Sequence, residues 1–278
     1  MKQVAIQGLK GSFHDIAAHQ FFQGDELDII CCATFEQVFK SVKDNGEAIA
    51  LLAIENTIAG SLLHNYELLR DSGLSVVGEH KLHIEHCICC LPEDDWETIE
   101  EIHSHPVALM QCRQFLANYP KMKVVEDEDT AGSAKYIGEN KKRGWAAICH
   151  AEAAKLYGLK VLQNSIEDNK HNFTRFLVAV PQQHADQMRN IYAANKASIV
   201  FTLPHEEGSL SAILSILSFY KTNLTKIQSL PIIGHEWEYM FIIDLKYTGN
   251  ERFHLALEAI KPLTSKMRLL GQYSECNL

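Results

Sequence analysis

An α/β fold is predicted for residues 1–181, and a βαββαβ module of ferredoxin-like arrangement for residues 197–278. Three observations predict this. Short apolar runs alternate with amphipathic stretches up to residue 180, a polar break follows Pro181, and the alternation then restarts in a different order. Apolar or β-branched runs mark strands at 4–7, 27–32, 48–54, 76–80, 85–91, 123–126, 146–149, 160–162 and 176–180. Helical spacing fills most of the gaps, as at 34–43 and 106–117, and Gly24 punctuates the passage from the first helix to the second strand. Strand–helix alternation of this kind implies a largely parallel sheet. The run Gln182-Gln183-His184-Ala185-Asp186-Gln187 reads as a linker over 182–196, its second half compatible with a helix. Beyond it come a strand (198–203), a helix (208–221), strands at 224–230 and 238–246, a helix (252–261) and a strand (267–273).

The chain has 278 residues, enough for one large domain or two smaller ones, and 46% of them are hydrophobic, ample for a packed core. Its 26 Lys and Arg against 35 Asp and Glu give a net charge of −9, which argues against nucleic acid as a partner. No window approaches the roughly 18 apolar residues of a membrane span. The N-terminal residues lack an apolar signal-peptide core, so a cytoplasmic location is expected, with the eight cysteines reduced. Most of those cysteines sit in apolar runs, where thiols behave as small hydrophobes. The run His83-Ile84-Glu85-His86-Cys87, with Cys89 and Cys90, is dense in ligand types but lacks a second pair at zinc-like spacing, so no metal is expected. Gly8 and Gly11 match neither a dinucleotide nor a P-loop pattern.

Several residues stand where chemistry is commonly placed. Gly11-Ser12, the run Thr57 to Ser61, and Asp129-Thr130 each precede a helical stretch. Such residues serve as ordinary N-caps, and the same positive helix ends attract carboxylates. Glu55 ends an apolar strand, where a carboxylate either bonds the turn backbone or has a raised pKa. The segment 166–179 is the most telling: a polar run ends in Thr174-Arg175-Phe176 at the mouth of a strand. Alternation along that strand puts Thr174 and Phe176 on one side and Arg175 on the other, so Thr174 ranks above Arg175 as a ligand contact.

These blocks, in this order, resemble the prephenate dehydratase family. The matching residues are Gly8, Gly11, Ser12 and Phe13; Ile54-Glu55-Asn56-Thr57-Ile58-Ala59-Gly60-Ser61 with Tyr66-Glu67-Leu68-Leu69; and Ser104-His105-Pro106 with Gln111-Cys112. They continue with Asp129-Thr130-Ala131-Gly132-Ser133-Ala134, then Ala153-Ala154-Lys155-Leu156-Tyr157-Gly158-Leu159, and finally Asn172-Phe173-Thr174-Arg175-Phe176. The resemblance implies a two-lobed catalytic domain, like a periplasmic binding protein, followed by an ACT regulatory domain. It implies conversion of prephenate to phenylpyruvate without a cofactor, with Thr174 catalytic. Glu55, Asn56, Thr57, Ser104, Gln111, Thr130, Arg175 and Phe176 would bind substrate. It also implies a homodimer or homotetramer, with L-phenylalanine as effector at Gly208, Ser209, Leu210, Asn223, Gln228 and Ser229. One departure stands out: the family's usual Glu-Ser-Arg-Pro reads Gln228-Ser229-Leu230-Pro231 here, without its two charges. The alternatives are the same chemistry on arogenate, and a two-lobed amino-acid sensor that is not an enzyme.

Overall fold

A computed structural model describes residues 1–188, 194–232 and 239–276. The chain divides into two units, Met1–Ser61 with Lys81–Phe176 and Leu62–His80 with Leu177–Leu278. In chain order the elements are β1 (Lys2–Gln7), α1 (Phe13–Phe21), β2 (Leu27–Cys32), α2 (Phe35–Asn45), β3 (Ile49–Asn56), β4 (Gly60–Ser61), α3 (Leu63–Ser72), β5 (Leu74–His83) and β6 (Cys87–Cys90). They continue with β7 (Glu101–Ser104), α4 (Pro106–Gln111), α5 (Arg113–Leu116), β8 (Lys123–Glu126), α6 (Thr130–Asn140), β9 (Trp145–Cys149), α7 (Ala151–Leu156), β10 (Lys160–Gln163) and β11 (Phe173–Pro181). The last are α8 (Gln182–Met188), β12 (Lys196–Thr202), α9 (Ser209–Phe219), β13 (Asn223–Pro231), β14 (Tyr239–Lys246), α10 (Asn250–Ile260) and β15 (Lys266–Tyr273). Among the described residues no helix is long and apolar enough to cross a membrane.

In the first unit β1 pairs in parallel with β2 and β3, and β4 folds back antiparallel on β3. A separate sheet runs β10-β6-β9-β7-β8. The expectation of largely parallel strands fails there, because β6 lies antiparallel to both β9 and β10. Period-two alternation gives this sheet two apolar faces. Cys87, Cys89, Ala147 and Cys149 point to the layer of α6 and α7, while Ile88, Cys90, Ala146 and Ile148 point to the layer of α4 and α5. Strand β7 escaped sequence reading because Ile102 is the only aliphatic residue in its four; it is held by pairing with β8 and β9 and by His103 stacked on Trp145. The helix expected over 106–117 is broken after Gln111. The Gln111 carbonyl accepts from Asp168 N (2.7 Å) and the Asp168 carboxylate caps Gln114 N (3.0 Å), so a distant loop takes over the helical ladder.

In the second unit the strand order β13-β14-β12-β15 is the ferredoxin-like one, with antiparallel neighbours. Helices α9 and α10 cover one face through Ile199, Phe201, Ile213, Leu217, Ile243 and Phe253. The sheet does not stop at β15. It continues in parallel to β5 at Gly271 opposite Val76, where a Cβ on Gly271 would lie 2.0 Å from the Val76 carbonyl oxygen. Only glycine allows this approach. Of the segment read as a linker, Gln182–Met188 is helix α8, so the helix occupies its first half; most of its second half lies outside the described residues, as does 238, the expected start of β14.

His14, in α1, is partly buried against Phe35 and Phe176, and its enclosed Nε2 has no hydrogen-bond partner among the described residues. Burial pushes its pKa down to about 4. Folded His14 is therefore neutral while the unfolded chain takes up a proton below the ordinary value of 6.5. Its stabilisation is complete above that value and is lost as pH falls toward 4, in total about 3 kcal/mol. Urea unfolding of His14→Leu should show a smaller loss of stability between pH 7 and pH 4 than the parent chain; parallel curves for the two proteins would contradict this origin.

Candidate active site

Asn56, at the end of β3, is where the first unit's polar groups meet. Its Oδ1 accepts from the backbone N–H of Ile58 (2.9 Å) and Ala59 (2.8 Å), closing the turn into β4. The run 57–61 is therefore a hairpin turn, not a helix cap; α3 begins at Leu63 without a side-chain cap. The Asn56 Nδ2 donates to Asn172 Oδ1 (2.8 Å), the Phe173 carbonyl (3.2 Å) and Thr174 Oγ1 (3.0 Å). Asn172, fully buried, donates through Nδ2 to Gln111 Oε1 (3.0 Å), which also lies 3.0 Å from His86 Nε2. A chain of side chains thus runs Thr174–Asn56–Asn172–Gln111–His86.

This chain fixes orientations. Gln111 Oε1 is the acceptor for Asn172, so the neutral His86 ring donates to it from Nε2. Burial holds His86 below its usual pKa, and its buried Nδ1 has no partner among the described residues. The Gln111 amide nitrogen, with no bond among the described residues, is then the end left to donate to a ligand. Likewise Thr174 Oγ1 accepts from Asn56, and its own O–H has no acceptor among the described residues. Both are donors held ready by groups that occupy their acceptor atoms.

Other expected residues are placed differently. The Ser104 hydroxyl, fully buried, donates to the Ile148 carbonyl (2.6 Å) and braces β7 against β9. The residue that caps α4 is His105, whose Nδ1 accepts from Val107 N. The Thr57 hydroxyl donates to the His171 carbonyl (3.0 Å) and accepts from Phe173 N (2.9 Å), clamping the strand mouth. Arg175 is buried beside the half-exposed Glu55, Nη1 to Oε2 4.0 Å, instead of pointing to solvent. Phe176 is buried edge-on to His14. Thr130 opens α6 behind its cap Asp129, which accepts from Gly132 N (2.6 Å). Burial raises the Asp129 pKa.

The starts of two helices come together. A Cβ on Gly8 would lie 3.1 Å from Asp129 Oδ2 and 3.2 Å from Ser12 Oγ, so glycine at φ +100° lets the starts of α1 and α6 close on one loop. A Cβ on Gly11 would likewise lie 3.0 Å from the Ala153 Cα of α7. Phe13 stands edge-on to both His86 and His150. Sequence reading gave no role to Asn172, His86 or Phe13; all three lie inside runs already singled out, and only their contacts reveal them. The ligand-dense run 83–87 does not assemble: His83 Nε2 meets the Lys170 carbonyl, Glu85 takes a bond from Ser165, and His86 turns to Gln111.

In the second unit, Ser209 and Leu210 line a hollow of about 130 Å³ with Tyr239 and Phe241, at the open start of α9. Gly208 there adopts φ +83°, and a Cβ added to it would meet no described atom within 4 Å. Ser229 pairs with Phe241 in register, whereas Asn223 lies at the other end of β13, opposite Lys246. Gln228 donates to the Ser229 carbonyl (3.0 Å) and Leu230 is 2% exposed.

The model of the prephenate dehydratase family matches residues 4–184. The bifunctional chorismate mutase/prephenate dehydratase of Escherichia coli (strain K12) is 31% identical over 281 residues, covering 99% of this chain and 72% of that protein. Arogenate dehydratase 1 of Petunia hybrida is 35% identical over 289 residues, covering 98% and 66%. A solved prephenate dehydratase in complex with L-Phe from Arthrobacter aurescens has a TM-score of 0.86 at 26% identity, over 98% of this chain and 90% of that one. With its ordered motifs converging on one buried polar chain, this protein belongs to the prephenate dehydratase family.

Proposed function

We propose that the first unit converts prephenate to phenylpyruvate, a late step of phenylalanine synthesis, with Thr174 as the group that assists the leaving hydroxide. The observation that carries this is the Asn56 Nδ2 bond to Thr174 Oγ1 at 3.0 Å, which leaves the threonine proton to be donated. Loss of the carboxylate as CO2 and of the ring hydroxyl as water makes the ring aromatic, so the driving force is internal to the substrate. The protein's part is to hold a dianion and to donate where negative charge develops on the departing oxygen. Gln111 Nε2 and the N–H groups at the starts of α1 and α6 are the donors offered to the carboxylates. Arg175 adds a fixed positive charge near Glu55. The expected division is catalytic residues 1–181, linker 182–196 and ACT regulatory residues 197–278, in a cytoplasmic protein. The Petunia relative keeps arogenate open as substrate, so both acids belong in the assay.

Thr174→Val keeps shape and removes the donor; kcat should fall by about 10²–10⁴-fold with the fold unchanged. A folded variant with near-normal kcat would end the role given to Thr174. His86→Ala should free Gln111 to rotate and lower kcat/KM about tenfold, and His86→Gln, which keeps a donor at similar reach, should recover part of it. Equal kcat/KM in all three proteins would remove His86 from the positioning chain.

Phenylalanine is the proposed effector, held where the second units of two chains meet. Alternation along β13 puts Lys226 and Gln228 on one face, with Lys226 over the Tyr66 ring, and Ser229 on the other with Phe241 and the Ser209 hollow. A ligand touching both Ser209 and Gln228 must take them from two chains, which supports a homodimer or homotetramer. Gln228→Glu returns one missing charge at a half-buried site and should lower the half-inhibiting phenylalanine concentration about tenfold. Leu230→Arg is the poorer test, because it would bury a guanidinium. Unchanged inhibition in Gln228→Glu would exclude that side chain from the ligand's ammonium.

A further inference from the structure

We propose that Cys87, Cys89 and Cys149 form a binding site for one thiophilic d10 ion of the Cu(I) type, in trigonal thiolate coordination. Cys87 and Cys89 are two apart on β6 and so share a face, and Cys149 is the cross-strand partner of Cys87 in β9. All three side chains point into the layer beneath α6 and α7 and are at most 2% exposed. Their sulfurs lie within 4.8 Å of one another, with Cys89 and Cys149 3.4 Å apart. A metal–sulfur bond of about 2.3 Å requires sulfurs about 3.8–4.0 Å apart, so an ion at the centre of this trio needs only small side-chain shifts. Among the described residues no fourth His, Cys, Asp or Glu joins that group. Zinc closes structural sites with four ligands, whereas soft thiolates alone favour monovalent copper. Binding releases the thiol protons to solvent. Cys31, exposed, and Cys276 stand outside the trio.

Titration of the reduced, full-length protein with Cu(I) under argon, against a chromophoric Cu(I) chelator, tests the site. One ion per chain should be withheld from the chelator and give thiolate-to-metal absorption. Cys89→Ala and Cys149→Ala should each weaken retention on the order of tenfold or more, while Cys31→Ser and Cys276→Ser keep it. Zn(II) under the same conditions should be held less tightly. Should the alanine variants fail to fold, X-ray absorption of the copper-loaded parent chain decides, with three sulfurs at about 2.3 Å expected. No retained ion, a retained ion that follows Cys31 or Cys276, or a copper centre with fewer than three sulfurs would overturn the proposal.

Discussion

The buried amide of Asn172 is the constraint on which the rest of the catalytic unit depends. It accepts from Asn56 and donates to Gln111, and it is fully enclosed. A buried amide that loses a partner costs about 1–3 kcal/mol, so the groups on either side are held by the same requirement that holds Asn172. The Asn172 carbonyl in turn accepts from Ile84 N (2.7 Å), and Glu167, five residues earlier, takes the N–H of His86 (2.8 Å). The loop before β11 is thereby stitched to the chain leading into β6, to the turn after β3 and to the end of α4. Fold stability and donor alignment are one network here. A substitution at Asn172 would disturb both, which is why Thr174 and His86 are the cleaner probes.

An acidic protein that takes a dianion needs local positive potential, and the structure supplies it largely without lysines. The starts of α1 and α6 face one glycine loop, and their caps are short side chains. Asp15 and Asp129 spend their charge on backbone N–H groups at Gly11 (2.7 Å) and Gly132 (2.6 Å), and burial raises the pKa of Asp129. Neutral His150, held below its usual pKa by burial and accepting from Glu152 N at Nδ1, adds a donor at Nε2 without adding fixed charge, while the His86 N–H is already given to Gln111. Arg175 supplies a fixed cation, and Glu55 beside it tempers its field.

Strand positions were legible because period-two patterns and β-branched runs survive in the sequence; 27–32 and 123–126 match β2 and β8 end to end. What escaped depended on distant partners. Nothing near Gln111 says that α4 must break there, because the group that breaks it is Asp168. The antiparallel turn of β6 is likewise set by its neighbours β9 and β10, not by its own residues. At the site, residue types were legible through motif order, but their tasks were not. Ser104 and Thr57 look identical to Thr174 as hydroxyls in a motif, yet their protons go to the backbone while that of Thr174 stays available.

The same distinction between residue type and direction governs β13. Read as a string, Gln228-Ser229-Leu230-Pro231 is a binding motif that has lost two charges. On the strand, Gln228 and Leu230 share one face and Ser229 takes the other, so the four never formed a contiguous surface within one chain. Leu230 is enclosed, opposite Met240 in β14, where a charge would need a partner to be tolerated. Leucine there adds apolar burial to the sheet. Gln228 sits on the outermost strand of its sheet, half open, where a change of charge alters the exposed surface. The two departures from the family pattern are therefore unequal: one alters what the strand presents, the other what it stands on.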